Sequence, residues 1–592
     1  YIGAVAGFLS SQYIATWAQS VQTALPVRLF LGNRRPGFPG RANPWIHTAQ
    51  GRNKIDLSIA QQGAWQSIRD SYGTTKKPVY LWGPTGSGKS FVLLKFMSEL
   101  IAQGKGSIYL VPEIALTPQF ARMFAEQLPD GARIAIWSSK TPEAAKRGIY
   151  EALLAGTIDA VLGTRSAIFL PMKDLGAIII DEEQDSSFKQ ETPSPAYHAR
   201  DVALWRVGHQ SAIAIFASAT PSLECYSMMQ ENIMLKAKIA GRYGNAGMPT
   251  IRVTKLYRPQ HPVNRDVIDA IKETVEAGGQ ALVFHNRRGF VRTLCCQACG
   301  KYVDCTRCDL PLTLHNTDDG SKRLKCHHCG LRKNVPTACP DCGSAKSPLA
   351  ERGMGTQKIA REIEAFLNIK TLRLDKDTTG DAQAIYRDFE SGAYKVLIGT
   401  KIITKGWHFP AVTLVVVLDA DTEMMLPDFR ACERAFQTLV QVAGRAGRGA
   451  HPGTVIVQTR QPQHPIFASL AANDWEAFYA QEAALRKQVR LPPFARIVSI
   501  ELTGKDEQGL QEAADTCAAH INAGNIFTQD LEVMGASAGF YHRIQGRFRQ
   551  QIILRWTQAA LPFPKTLIWE AIGKVKNSRI RIKLHPDPYD LF

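Results

Sequence analysis

Short apolar runs, each the length of a buried strand, recur at Val79–Trp82, Ser107–Val111, Arg133–Trp137, Ala160–Gly163, Ala177–Ile180 and Ala212–Phe216. The segments between them have helical spacing, beginning with Phe91 to Ala102. Such alternation predicts a parallel sheet with helices on both faces. A second alternating lobe has strands at Gln280–Phe284, Thr371–Leu374, Lys395–Ile398, Thr413–Leu418 and Gly453–Gln458. Residues 1 to 32 read as helical, with Phe8, Leu9, Tyr13, Ile14 and Trp17 on one side, either as part of a small domain cut off by the start of the chain or as an interaction helix. Residues 33 to 53, rich in Gly, Pro and Arg, read as a linker able to touch DNA.

At 592 residues the chain is too long for one core, and roughly three to five domains are expected. A net charge of +18 suggests a polyanionic partner, most simply nucleic acid. No apolar run reaches the roughly 18 residues of a membrane span. No secretory signal is visible, and Tyr1 in place of Met fits a chain that begins inside a longer protein, so a cytoplasmic location without membrane contact is expected.

The sharpest chemical signal is Gly83-Pro84-Thr85-Gly86-Ser87-Gly88-Lys89-Ser90, which fits G-x-x-x-x-G-K-[ST] between a strand and a helix. Backbone N–H groups of such a loop close on a polyphosphate, aided by the helix N-terminus. Lys89 is placed to reach the β- and γ-phosphates of ATP, and Ser90 to bind Mg²⁺. Ala177–Ile180 ends in Asp181-Glu182-Glu183, where Asp181 is the second Mg²⁺ candidate and Glu182 the group that orients and deprotonates water. Gln61, on the helix that begins near Leu57, is the candidate adenine reader, or else a surface glutamine. In the second lobe, Gln441-Val-Ala-Gly-Arg445-Ala-Gly-Arg448 offers two arginines for the γ-phosphate.

Twelve cysteines are present, and eight of them form the pairs Cys296/Cys299, Cys305/Cys308, Cys326/Cys329 and Cys339/Cys342. Eight thiolates suffice for two tetrahedral Cys₄ zinc sites, although spacing alone does not fix the grouping. So small a segment needs the metal to hold it together.

The phosphate loop, Asp181-Glu182-Glu183-Gln184, Ser218-Ala219-Thr220 and the paired arginines, in this order, resemble the two-lobed motor of superfamily 2 helicases. Val111-Pro-Glu-Ile-Ala-Leu-Thr-Pro118, Gly163-Thr-Arg-Ser-Ala-Ile-Phe169, Asp181 to Gln190, Asn286-Arg-Arg-Gly-Phe290 and the cysteine insert narrow the resemblance to the primosomal protein N′ family of replication-restart DNA helicases, from about residue 57 to the end. The resemblance implies an α/β fold of two RecA-like parallel-sheet lobes, with the zinc-binding insert in the second lobe and a C-terminal α+β domain. The expected domains are a truncated DNA-binding remnant and linker at 1–56, the ATP-binding lobe at 57–240, the second lobe at 241–290 and 345–465, the insert at 291–344 and a DNA-binding domain at 466–592. It implies nested zinc sites, with Cys296, Cys299, Cys339 and Cys342 on one ion and Cys305, Cys308, Cys326 and Cys329 on the other. Activity would be 3′-to-5′ unwinding at stalled forks by a monomer. The partners would be forked and single-stranded DNA, primosome proteins, single-stranded DNA-binding protein and the replicative helicase loader.

Thr117, Thr164, Arg165, Thr400 and Lys405 are the candidate DNA contacts of the lobes, and Arg547 and Arg549 those of the C-terminal domain. Four departures stand out. Gln184 and Trp407 each replace a usual His, the loop from Phe188 to Arg200 keeps Phe188 and Tyr197 but lacks the family's Trp, and residues 1 to 56 are too short for a 3′-end-binding domain with a winged helix. Two other readings remain: a DNA-binding primosome scaffold with an impaired motor, and another superfamily 2 translocase.

Overall fold

The structure is a computed structural model of the 592-residue chain. It describes every residue except 1, 26–42, 52–54, 113–117, 244–246, 257–261, 286–292, 297, 300, 309, 317–321, 327–328, 345–348, 353–354, 376–381, 401–402, 404–408, 427, 448–451, 528, 559–560, 576 and 592.

The first lobe is built on an eight-stranded sheet. Its order is Ile46–Thr48, Arg133–Trp137, Ala160–Gly163, Gly106–Leu110, Leu175–Asp181, Ile213–Ser218, Val79–Trp82 and Leu235–Lys238. All neighbours are parallel except the first pair. Its central strands are buried along their whole length because helices cover both faces, which is why they read as continuous apolar runs. The second lobe has six parallel strands in the order Leu372–Leu374, Val396–Gly399, Gln280–His285, Val412–Leu418, Thr454–Thr459 and Thr250–Lys255. A five-stranded antiparallel sheet from Thr293–Cys296 to Leu349–Arg352 forms the cysteine-rich insert. The C-terminal sheet runs Leu531–Ile544, Arg547–Trp556, Arg496–Gly504 and Arg581–Pro586, all antiparallel, with the helices Glu507–Ala523 and Lys565–Val575 in its core.

In the two lobes, three described sheet strands, all at edges, escaped the sequence pattern. Leu235–Lys238 and Thr250–Lys255 are largely solvent-facing and have no apolar run. Ile46–Thr48 lies inside the stretch expected to be a linker and pairs with Arg133–Trp137. The N-terminal segment is two helices, Ile2–Gln12 and Trp17–Ala24, broken at Ile14 with φ 52° and restarted by a Thr16–Gln19 capping box. The break turns Trp17 away from the expected apolar face, leaving it 54 % exposed.

These helices sit between the first lobe and the C-terminal domain. Phe8 stacks on Trp205, Tyr13 donates to Asp201 Oδ2 at 2.6 Å, and Ile14 enters the C-terminal core. Beside them the buried Lys189 Nζ donates to the carbonyls of Ala196 at 2.5 Å and Pro586 at 2.7 Å. Burial lowers Lys189 to about 8, against the pull of Asp587, Glu191 and Asp201. The unfolded chain therefore binds more protons than the folded one between about 8 and the ordinary lysine value of about 10.4. Lys189 thus adds stability that is complete above that window and lost as pH falls through about 8. Across it the gain is up to about 3 kcal/mol. Urea unfolding at pH 8 and pH 10 is expected to show this rise in the wild type relative to Lys189→Met; parallel pH profiles for the two proteins would refute it.

Candidate functional site

The phosphate loop leaves Val79–Trp82 and enters the helix Lys89–Ala102. Gly86 and Gly88 have φ of 83° and 76°, conformations that a side chain would strain. A Cβ on Gly86 would meet nothing within 4 Å, so the concave face is open for phosphate oxygens. Lys89 Nζ donates to the carbonyls of Gly83 at 2.9 Å and Pro84 at 3.2 Å, and spans the loop. Ser87 Oγ is buried without a hydrogen-bond partner. Gln61 is buried against the loop. Its Nε2 donates to the Ser87 carbonyl at 2.9 Å, and its Oε1 accepts from Ser58 N at 2.9 Å in a capping box.

Asp181 ends the central strand facing this loop. Its Oδ2 accepts from Tyr109 Oη at 2.8 Å and lies 3.4 Å from Ser90 Oγ. That spacing suits two neighbouring ligands of a cation with metal–oxygen bonds of about 2.0–2.1 Å. Burial, and then the Glu182 charge, raise Asp181 to about 6. Glu182 has φ 53° and is gripped at Oε2 by Gln184 Nε2 at 2.7 Å, Ser218 Oγ at 3.5 Å and Gln441 Nε2 at 3.2 Å. The Gln441 contact crosses from the second lobe. Arg445 follows in the turn just past the end of the helix Ala431–Ala443, which carries Gln441. Burial lowers it to about 10, with the Glu182 charge acting the other way, so it is a cation at neutral pH.

The lobes meet closely here. A Cβ on Gly444 would come within 2.6 Å of Thr85 Cβ. Arg242, in the connector between lobes, donates to the carbonyls of Ala446 at 2.7 Å and Gly447 at 3.2 Å, and Tyr243 N donates to the Gly86 carbonyl at 3.0 Å. Behind the cleft, Glu183 accepts from Tyr80 Oη at 3.0 Å, Ser222 N at 2.6 Å and Ser222 Oγ at 3.0 Å. From the second lobe, Glu433 accepts from Leu223 N at 2.8 Å and from Arg486 at 2.7 Å. The motifs named Glu183 and Gln441 without assigning them a role; Tyr109 and Glu433 carry no sequence signal beyond falling in apolar elements.

Among the lobe DNA candidates, Thr164 is buried at the end of Ala160–Gly163, and Thr400 is half-buried just beyond Val396–Gly399. Arg165 is turned inward: its guanidinium donates to the carbonyls of Ser187 at 3.1 Å and Lys189 at 2.6 Å, and faces Tyr197. Phe188 and Tyr197 are buried in the first lobe. Thr117, Lys405, Trp407, Arg448 and the motif Asn286–Phe290 lie outside the described residues. Arg547 and Arg549 line a cleft of about 400 Å³ with Arg581, Lys583 and His585, opposed by Glu191, Glu501 and Asp590. Arg549 is paired with Glu501.

The eight cysteines assemble into two clusters, Cys296, Cys299, Cys339, Cys342 and Cys305, Cys308, Cys326, Cys329, each with its sulfurs within 4.8 Å of one another. Facing sulfurs lie 3.6 to 3.8 Å apart. This is the nested grouping, and four thiols at such spacing suit a tetrahedral zinc ion.

Four family models match the chain: DEAD/DEAH box helicase at 59–228, helicase conserved C-terminal domain at 351–450, PriA DNA helicase Cys-rich region domain at 305–333, and primosomal protein N C-terminal domain at 487–589. Replication restart protein PriA of Bacillus subtilis (strain 168) is 34% identical over 90% of this chain and 67% of the relative. That of Treponema pallidum (strain Nichols) is 36% identical over 84% and 75%. That of Chlamydia pneumoniae is 34% identical over 91% and 72%.

Because Gly444 seats directly on Thr85, Gly444→Val is expected to hold the cleft open. Turnover of ATP should fall about 10²-fold through misplacement of the second lobe, while a fluorescent nucleotide still binds the first lobe. Unchanged turnover would show that this approach is not needed.

Proposed function

The chain belongs to the PriA family of replication restart helicases, and we propose that its ATP cleft drives single-strand translocation, 3′ to 5′, at stalled forks. The observation that carries this reading is the convergence on Glu182 of Gln184 and Ser218 from one lobe and Gln441 from the other, opposite the phosphate loop. ATP binds with its phosphates in the loop from Gly83 to Ser90, and Lys89 leaves its carbonyl partners to meet them. Ser90 and Asp181 are the residues that would hold a Mg²⁺, which would neutralise charge on the phosphate oxygens.

Glu182 orients and deprotonates the attacking water through Oε1, since its three side-chain partners all meet Oε2. Arg445 and Arg448 bring positive charge to the γ-phosphate from the second lobe. Hydrolysis removes that attraction and loosens the lobes. Gln184, where the family has His, donates to Glu182, so the position keeps a hydrogen-bonding function. Gln61 acts by shaping the loop, and whatever it offers adenine comes after that bond.

The net charge of +18 and the basic cleft of Arg547, Arg549, Arg581 and Lys583 support DNA as the track. Thr164 and Thr400 stand at strand ends where a strand can cross both lobes; the inward bonds of Arg165 give it the task of fixing that surface. Two zinc ions organise the insert, which serves partner contacts in primosome assembly. No helix among the described residues is long and apolar enough to cross a membrane.

ATP hydrolysis with and without single-stranded DNA tests the proposal. Strong stimulation by DNA is expected, with Lys89→Ala slower by about 10²–10³-fold. Tight DNA binding without turnover would replace the motor with a scaffold and make Gln184→His the next protein to assay.

A further inference from the structure

The turn between strands Leu531–Ile544 and Arg547–Trp556 of the C-terminal domain ends on the cysteine-rich insert. Gln545 N–H donates to Cys308 Sγ at 3.2 Å, and Gly546 N–H donates to the Arg307 carbonyl at 2.7 Å. Ile544 packs on the insert's small core, which includes Leu294, Leu312 and Leu324. Gln545 and Gly546 have φ of 52° and 74°, the left-handed pair that a tight two-residue hairpin uses. That conformation aims both N–H groups outward from the tip, at the insert, rather than into the hairpin ladder.

We infer that the cluster of Cys305, Cys308, Cys326 and Cys329 is a composite metal site, in which the insert supplies the thiolates and the C-terminal domain supplies an outer N–H donor. The inference rests on zinc occupying the two clusters. Four thiolates outweigh the charge of one zinc ion, and N–H donors around the sulfurs stabilise the excess. Within the insert, the Arg307 N–H donates to Cys305 Sγ at 3.4 Å, and the Leu331 N–H serves Cys329. Cys308 is fully buried, so water is poorly placed to substitute for the Gln545 N–H. The other cluster differs: its Cys299 and Cys342 are exposed. The same strand carries Arg547 and Arg549 into the basic cleft, so one hairpin serves the metal site at its tip and the cleft along its side. Removing the tip would loosen one zinc and leave the other alone.

The test is release of zinc from the full chain to the chromogenic chelator 4-(2-pyridylazo)resorcinol, with total zinc measured first. Ile544→Asp removes the apolar anchor, and Gly546→Val forces a branched side chain into a left-handed position without meeting a neighbour within 4 Å. Each is expected to accelerate one equivalent of zinc by about 10–100-fold and to leave the second at the wild-type rate. Gln545→Gly keeps the N–H and the turn, and is expected to match wild type. Both disruptive variants, folded by circular dichroism, releasing zinc at wild-type rates would overturn the inference, as would equal acceleration of both equivalents. A wild-type chain holding fewer than two zinc ions would instead remove the zinc reading on which it rests.

Discussion

The N-terminus of one short helix, Leu223–Gln230, holds the two lobes in register. Its first turn carries unsatisfied N–H groups and a partial positive charge, and three carboxylates gather on it. Glu183 comes from the acidic strand end of the first lobe, Glu224 from the helix itself and Glu433 from the second lobe. Burial opposes the Glu224 carboxylate, but Arg430 and Arg200 outweigh it and hold it well below its usual range. Arg430 belongs to the second lobe and Arg200 to the first, so the ion cluster crosses the same boundary as the Glu433 bond. Breaking one member leaves a buried charge uncompensated, which is far more costly than losing an exposed pair.

That register fixes the chemistry of the cleft. Glu183, adjoining Glu182, is tied to Ser222 through both backbone and hydroxyl, so the acidic strand end moves with the helix that Glu433 grips. The Gln441 bond to Glu182 and the contact of Gly444 with Thr85 lie along the helix Ala431–Ala443 and just past its end, and that helix also carries Glu433. A displacement of this helix therefore reaches the joint and the cleft together. Burial and then the Glu182 charge raise Asp181 against the pull of Lys89, so this strand end is where positive charge is most stabilising.

What the sequence made legible follows from how each signal is encoded. The phosphate loop, the acidic strand end and the cysteine pairs are local patterns whose chemistry demands fixed spacing, and the structure assembles each of them. The long buried strands announced themselves because both faces are covered; Leu235–Lys238 and Thr250–Lys255 did not, since an edge strand of mixed residues has no period to read. Glu433 and Leu223 lie 210 residues apart, and no spacing rule connects them. Arg165 shows the converse limit. Its motif was recognisable, but the direction of its guanidinium depends on carbonyls 22 and 24 residues further on.

The C-terminal domain is attached to both lobes at once, and this restricts how the cleft can open. Lys189 of the first lobe donates to the Pro586 carbonyl, and Glu191 accepts from Tyr589 N at 3.1 Å. From the second lobe, Arg434 donates to the Tyr589 carbonyl at 3.3 Å, and Asp428 accepts from Leu591 N at 3.2 Å. The insert, itself part of the second lobe, adds the hairpin contact at Gln545. The Lys189 bond is buried, and so are the Arg434 and Asp428 side chains that meet the tail, so water is poorly placed to replace either set of partners. Separation of the lobes therefore has to break one set of these bonds.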